Sequence, residues 1–381
     1  MRHIIIQIES LMKYPPSLSL IRMLHELGED VYFFSAEVSD RVRQNCINEN
    51  VNLINLKYTY DTKNPAAEKL IKIPLINYQI KKNLKKYYTT NTIIWVMTSV
   101  TLKYIGKNLF GKNYIMYMYE LSQELRYYQK FRYPCVNLEK LFKNAIAVIE
   151  CEYNRAHIAQ AWFGLSQTPY VLPNKPYMSK LNRYSFIEDE YCRTVMEQIK
   201  DRKIILYQGI IDEERPLNPF IEAVNELGAE YAMVIMSGDY KNVKSAKSDN
   251  LFLLPFVNPP HHLEITSWAY IGILSYFPVR NAATSPLNAI YCAPNKIYEY
   301  AMFGIPMLGN DIPGLQYSVQ NNKMGICLPS FSRKDIIGAI KCIKKNYSMY
   351  SRNAELFYDE ICNKDVLKEI ITGEKSNVCK G

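Results

Sequence analysis

Ala293-Pro-Asn-Lys-Ile-Tyr-Glu-Tyr-Ala-Met-Phe-Gly-Ile-Pro-Met-Leu-Gly309, continued by Asn310-Asp-Ile-Pro-Gly314, reads as a short helix feeding a buried strand. Proline suits the first helical position, where its missing N–H would have had no partner, and Pro294 stands there. Gly304 supplies a left-handed stop, and Pro306 keeps the helix from resuming. Neither Cys292 nor Ala293 offers a capping side chain, so first-turn N–H groups are left for a ligand. Free amides at the positive end of a helix dipole make an anion site, with Asn295 and Lys296 in the same turn. Glu299 follows Asn295 by one turn on one face, while Ile297 and Ala301 share another. Amides for a diphosphate and a carboxylate one turn deeper for two ribose hydroxyls suit a nucleotide. Taken alone, the stretch also suits the helix–strand unit of any doubly wound protein.

Outward from it, the chain alternates short apolar runs with helix-length segments. In the first half, runs at 4–8, 31–35, 51–56, 93–98, 114–119 and 145–149 predict strands, with a helix over 17–27 closed by Gly28. Such runs, apolar throughout, imply parallel sheets covered on both faces. Tyr170-Val-Leu-Pro-Asn-Lys-Pro176 breaks the pattern and marks a crossing between domains. A charged helix is expected over most of 177–203, with Glu188-Asp189-Glu190 on its solvated face. The strand series then restarts at 204–208, 231–236, 251–254, 270–274, 305–308 and 325–328. The fold class is therefore α/β, with two Rossmann-like doubly wound parallel-sheet domains; 381 residues suffice for both.

Composition narrows the classes. No apolar run reaches the length of a membrane span, and the opening Met1–Glu9 is too short an apolar run for a signal peptide. Nine scattered cysteines without a Cys-x-x-Cys pair point to reduced thiols in a cytoplasm. Of the net +9, residues 1–172 carry 8, with 22 Lys and Arg against 14 Asp and Glu. The basic segment 71–88, with Lys81, Lys82, Lys85 and Lys86 among tyrosines, is expected either to lie peripherally on an anionic membrane or to pack as a basic solvent-facing helix. A nucleic-acid partner is not expected. No Asp-x-Asp pair or Gly-Lys-Ser/Thr loop is present, so neither a metal cofactor nor an ATPase is expected.

Pro294-Asn-Lys-Ile-Tyr-Glu-Tyr300 followed by Gly304-Ile-Pro306 resembles the donor-site segment of the "group 1" glycosyltransferases of GT-B fold. The resemblance implies two Rossmann-like domains with a cleft between them. It assigns 1–173 to the acceptor and 174–350 to a nucleotide-sugar donor, with the helical segment 351–381 returning to the first domain. It further implies that Glu299 holds the ribose while the helix N-terminus faces the diphosphate, with transfer retaining the anomeric configuration. Many members carry a second glutamate eight residues before this one, against the donor sugar; here Tyr291 stands there. Pro173-Asn174 matches the family's interdomain crossing.

Tyr207-Gln-Gly-Ile-Ile-Asp-Glu-Glu-Arg-Pro-Leu217 is the second informative stretch. A strand ends at Gly209, the loop beyond it lies where ligands of open α/β sheets bind, and Pro216 is expected to open a helix. Arg215 can grip phosphate oxygens with two prongs, or sit as a surface arginine beside Glu213 and Glu214. In similar transferases a basic residue here holds the diphosphate. A further arginine often follows the glycine, but Ile210 occupies that place. By the same resemblance, the backbone near Val257 reads the base. Asn258 is expected to cap a helix opened by Pro259. Asn288 is a candidate for the phosphate-facing loop or for a plain turn. His261 and His262 read as polar surface.

In the first half, Glu120 follows a strand and is the candidate to orient or deprotonate an acceptor hydroxyl, with Glu9 as its rival. The function expected is transfer of a sugar to a polysaccharide or lipid-linked glycan acceptor. The rivals are a nucleotide-sugar 2-epimerase of the same fold and a non-catalytic nucleotide-binding protein.

Overall fold

Branched and aromatic runs flanked by turn residues form the strands of two separate parallel sheets. The computed structural model describes residues 1–58, 66–127, 131–132, 136–243, 248–279 and 285–373. These group into two units: Met1–Pro173 together with the segment from Asn363, and Asn174–Cys362.

In the first unit the strands are β1 (Arg2–Ile6), β2 (Asp30–Ser35), β3 (Asn52–Asn55), β4 (Thr92–Met97), β5 (Tyr114–Met118), β8 (Ala147–Glu150) and β9 (Tyr170–Val171). A small antiparallel pair, β6 (Arg126–Tyr127) with β7 (Phe131–Arg132), stands apart. The sheet order is β3-β2-β1-β4-β5-β8-β9, with β1 paired in parallel to both β2 and β4. Ile4, Ile5, Ile6, Ile94, Trp95 and Val96 are fully buried, as expected of a sheet with helices on both faces. Even His3 on β1 lies inside, accepting at Nδ1 from the Trp95 indole at 2.9 Å. Burial lowers its imidazole to about 4, so it is neutral at neutral pH.

In the second unit the strands are β10 (Lys203–Gln208), β11 (Tyr231–Ser237), β12 (Leu251–Pro255), β13 (Ile271–Leu274), β14 (Met307–Asn310) and β15 (Gly325–Leu328). Their order, β12-β11-β10-β13-β14-β15, reverses direction between β10 and β13. Helix Asn295–Met302 lies tight on this sheet because β13 carries a glycine. A Cβ on Gly272 would fall 2.3 Å from the Tyr300 ring, which is why no larger residue fits there. The Tyr300 hydroxyl then donates to the Leu206 carbonyl of β10 at 3.2 Å.

Several boundaries differ from expectation. The second unit does not end at 350. Helix Tyr347–Glu360 packs on helix Asn295–Met302, buries Ala354 and Tyr358 in that unit's core, and stacks Phe357 on Tyr298. It is the later helix Asn363–Thr372 that joins the first unit, through Asn363 Nδ2 on the Pro173 carbonyl and Lys364 on Glu26, each at 2.7 Å. The charged segment before β10 is helical only over Glu190–Gln198, and Asp189 caps it by accepting from the Cys192 amide. Helix Asn218–Leu227 starts two residues after Pro216. Asn258 caps nothing. Two successive prolines, each without an N–H and each disfavouring helix in the residue before it, delay the next helix to His262–Thr266.

Candidate functional site

Ligands of open α/β sheets bind beyond the strands' carboxyl ends where strand order reverses. In the second unit that is the mouth of β10 and β13. β10 ends at Gln208, and Gly209 comes next at φ +123°, a conformation open only to glycine. A Cβ there would stand 3.7 Å from the Lys296 Nζ. The loop beyond carries Ile210, 71% exposed where the arginine of similar transferases would be, and then Arg215. Arg215 is not free: Asp212 accepts from its Nη1, and Glu214 lies 3.5 Å from its Nη2. Its guanidinium also lies 5.5 Å from the centroid of the Tyr276 ring, just past β13.

Lys296 approaches the same ring from helix Asn295–Met302. Its Nζ is 5.1 Å from the Tyr276 centroid and 4.2 Å from that of Tyr207. The residue is only 9% exposed, and among the described residues its ammonium has no hydrogen-bond or ion-pair partner. Burial first, and then repulsion from Arg215, lowers it to about 7 against the opposing pull of Glu299. Two basic side chains from separate elements thus share one aromatic ring, an arrangement worth about 0.5–2 kcal/mol per cation–ring pair. Nothing in it supplies a negative partner for the lysine.

Helix Asn295–Met302 begins one residue later than expected, with Pro294 as its cap residue and no side-chain cap on its first amides. Asn174 fixes the entry to it, donating from Nδ2 to the Ala293 carbonyl at 2.7 Å. One turn in, Glu299 is buried yet ionised. Burial alone would raise it, but the His262 imidazole and hydrogen bonds from His262 and Gln208 bring its carboxyl below the usual value. His262 Nε2 lies 3.1 Å from Oε1, and Gln208 Nε2 donates to Oε2 at 2.5 Å. Gln208 is itself fixed, its carbonyl accepting from Thr266 Oγ1 at 2.7 Å. A chain Thr266–Gln208–Glu299–His262 therefore locks the carboxylate.

His262 is not the surface residue expected. It turns inward to Glu299, while His261 stays exposed, 2.8 Å from Glu264 and 3.3 Å from Glu188. Gln208, Thr266, His262 and Tyr276 were not legible as site residues. The one signal for them is polarity at the end of an apolar strand, as at Gln208. Of the remaining candidates, Asn295 is half-buried in the helix's first turn, and Val257 is half-buried just past β12 against the core. Asn288 lies half-buried in the short helix Leu287–Ile290.

The first unit has an equivalent mouth, at β1 and β4. Glu9, just past β1, is 6% exposed and accepts at Oε2 from the Tyr14 hydroxyl at 2.9 Å. Burial raises its carboxyl above the ordinary value, and the nearby charge of Glu120 adds to the rise. Glu120, half-buried after β5, is thus electrostatically coupled to Glu9. Tyr14 stacks on Tyr119 with centroids 5.4 Å apart, and Ser17 Oγ lies 2.9 Å from the Tyr119 hydroxyl and 2.5 Å from Gln7 Oε1. Thr98, the first residue past β4, has φ +68°, which costs a β-branched residue about 1–3 kcal/mol.

No protein-family model matches the chain, and no curated protein matches it significantly. Solved structures do. Anabaena HepE in complex with UDP-glucose is 10% identical, covering 97% of this chain and 98% of its own, at a TM-score of 0.68. Sucrose-phosphate synthase from Thermosynechococcus elongatus is 14% identical, covering 98% and 97%, at 0.61. A Listeria monocytogenes protein described as a UDP-N-acetylglucosamine 2-epimerase is 11% identical, covering 98% and 97%, at 0.62. Identities this low speak for fold alone. With its two parallel-sheet α/β units, the chain has the GT-B fold, and its structural neighbours include GT-B glycosyltransferases.

Proposed function

We propose that the chain is a group 1 glycosyltransferase that moves a sugar from a nucleotide-sugar donor to a hydroxyl of a polysaccharide or lipid-linked glycan. The observation that carries this is the meeting of Arg215 and Lys296 over Tyr276 at the head of a helix whose first amides are uncapped. Such a mouth suits the two phosphates of a donor, with Glu299 one turn deeper for the ribose hydroxyls. HepE, of the same fold, binds UDP-glucose.

Each of the protein's own groups has a part in this reading. The helix amides, Arg215 and Lys296 bind the diphosphate and stabilise the charge that develops on it as the bond to the sugar breaks. Asn295 lines the first turn, Gly209 turns the chain beside the lysine, and Asn288 and Val257 flank the phosphate and base ends. Glu120 takes the proton of the acceptor hydroxyl. No metal has a part in this scheme. Among the described residues no helix is long and apolar enough to cross a membrane. Helix Ala66–Tyr87 instead exposes Ile71 and Tyr78 together with Lys81, Lys82, Lys85 and Lys86, a face suited to an anionic bilayer bearing the acceptor. Retention at the anomeric carbon belongs to the proposal by resemblance.

The second reading, a nucleotide-sugar 2-epimerase, is favoured by the Listeria protein among the structural neighbours. Incubation with UDP-, GDP- and ADP-sugars separates the two. Release of nucleoside diphosphate that depends on added glycan acceptor is the expected result. Interconversion of the sugar without acceptor, or binding without turnover, would overturn the transferase reading.

A further inference from the structure

We propose that Lys296 sets a demand for a doubly charged diphosphate at this mouth, taking up one proton as the ligand arrives and giving it back as the ligand leaves. The inference rests on the nucleotide-sugar reading above and deepens it.

The geometry separates the two cations. Arg215 carries its own counter-charges, Asp212 on Nη1 and Glu214 near Nη2. Lys296 has two aromatic faces and no carboxylate partner among the described residues. The groups facing it are few. Tyr207 of β10 and Tyr276 past β13 are both held neutral by burial. Of the paired Arg215 and Asp212 in the loop after β10, the arginine acts on the lysine more strongly than the aspartate. Cys292 precedes the helix, and Glu299 within it is already bonded to His262 and Gln208. An ammonium buried beside a guanidinium, lacking an anion of its own, gives up its proton readily. Two phosphate groups at the helix head would supply the missing anion. A neutral nucleoside would not, so the lysine makes charge on the ligand a condition of tight binding.

The test is titration calorimetry with UDP-, GDP- and ADP-glucose at pH 6, 7 and 8, each in two buffers of different ionisation heat. The diphosphate of a nucleotide sugar keeps both charges across this range, so any proton exchanged belongs to the protein. With Lys296 starting at about 7, uptake should be about 0.1 proton at pH 6, about 0.5 at pH 7 and about 0.9 at pH 8. Affinity should fall as pH rises above 7, by up to about tenfold per unit. Lys296→Arg should bind without uptake and with a flat pH dependence; Lys296→Met should bind more weakly, also without uptake. Binding by the wild type with no uptake at pH 8, or uptake that survives in Lys296→Arg, would overturn the proposal while leaving the nucleotide reading standing. No binding of any of the three sugars would overturn both.

Discussion

Both sheets reverse their strand order beside their first strand, at β1 and β4 in one unit and at β10 and β13 in the other, yet the two mouths carry opposite chemistry. In the second unit the mouth is cationic and aromatic, with Arg215 and Lys296 over Tyr276 and the nearby carboxylate Glu299 locked by hydrogen bonds. In the first it is acidic and phenolic, with Glu9 held by Tyr14 and coupled to Glu120, and with the strained Thr98 just past β4. One scaffold thus offers a cationic mouth, suited under the proposed function to phosphates, and an acidic one, suited to hydroxyls. The difference lies mainly in the loops and helix starts beyond the strands, since the strands are largely apolar in both, Gln208 at the end of β10 aside. A transferase needs that division: charge stabilisation where the leaving group departs, and a proton acceptor where the new bond forms.

The sharpest way to break the comparison is to remove Glu120, the base proposed for the acidic mouth. Glu120→Gln should lower turnover by about 10²- to 10⁴-fold, the usual worth of a positioned general base, with donor affinity unchanged. Glu9→Gln is the paired control. Glu9 already accepts a hydrogen bond from the Tyr14 hydroxyl at 2.9 Å, so its loss should cost far less. Steady-state assays of both variants decide. If the larger loss falls on Glu9, the roles of the two carboxylates are exchanged.

The cationic mouth is expected to answer next. Glu299→Gln removes the charge that the proposed function assigns to the ribose hydroxyls and should weaken nucleotide binding about 10- to 100-fold, as charged hydrogen bonds are worth. A nucleoside should lose affinity by the same factor, whereas Lys296→Met should lose it selectively for diphosphates. Calorimetry with uridine and UDP measures the contrast. Unchanged affinity for both would remove Glu299 from the site.

How much of this was legible depends on distance along the chain. The parallel sheets showed as apolar runs, because strands buried on both faces have little room for polar residues. Helix Asn295–Met302 showed because Pro294, Lys296, Glu299 and Gly304 lie within eleven consecutive residues, where proline and glycine mark ends and helical spacing sets faces. The groups that hold Glu299 gave no such pattern. Gln208 ends β10, and His262 and Thr266 sit in a five-residue helix more than fifty positions later; only the sheet brings them to one carboxylate. A pair of histidines after two prolines reads as surface until one of them is seen turned inward. The reach of the second unit to Cys362 was hidden for the same reason, since helix Tyr347–Glu360 is amphipathic and its sequence does not say which sheet it covers.

The smallest effect tests that hidden lock. His262→Ala takes from Glu299 the partner that does most to keep its buried carboxyl ionised. With burial then dominant, its folded-state value should rise above the unfolded one. The sign comes from linkage. In the wild type the carboxyl lies below its ordinary value, so Glu299 adds stability at neutral pH that is lost as pH falls through the folded value. In the variant the carboxylate is a cost above the unfolded value, and that cost disappears as acid protonates it. The melting temperatures of the two proteins should therefore differ most near pH 7 and converge toward pH 4. Nucleotide binding at pH 7 should weaken only about threefold to tenfold, because Gln208 still holds Oε2. A gap in melting temperature that stays constant from pH 7 to pH 4 would mean that His262 serves packing alone and does not tune the charge of Glu299.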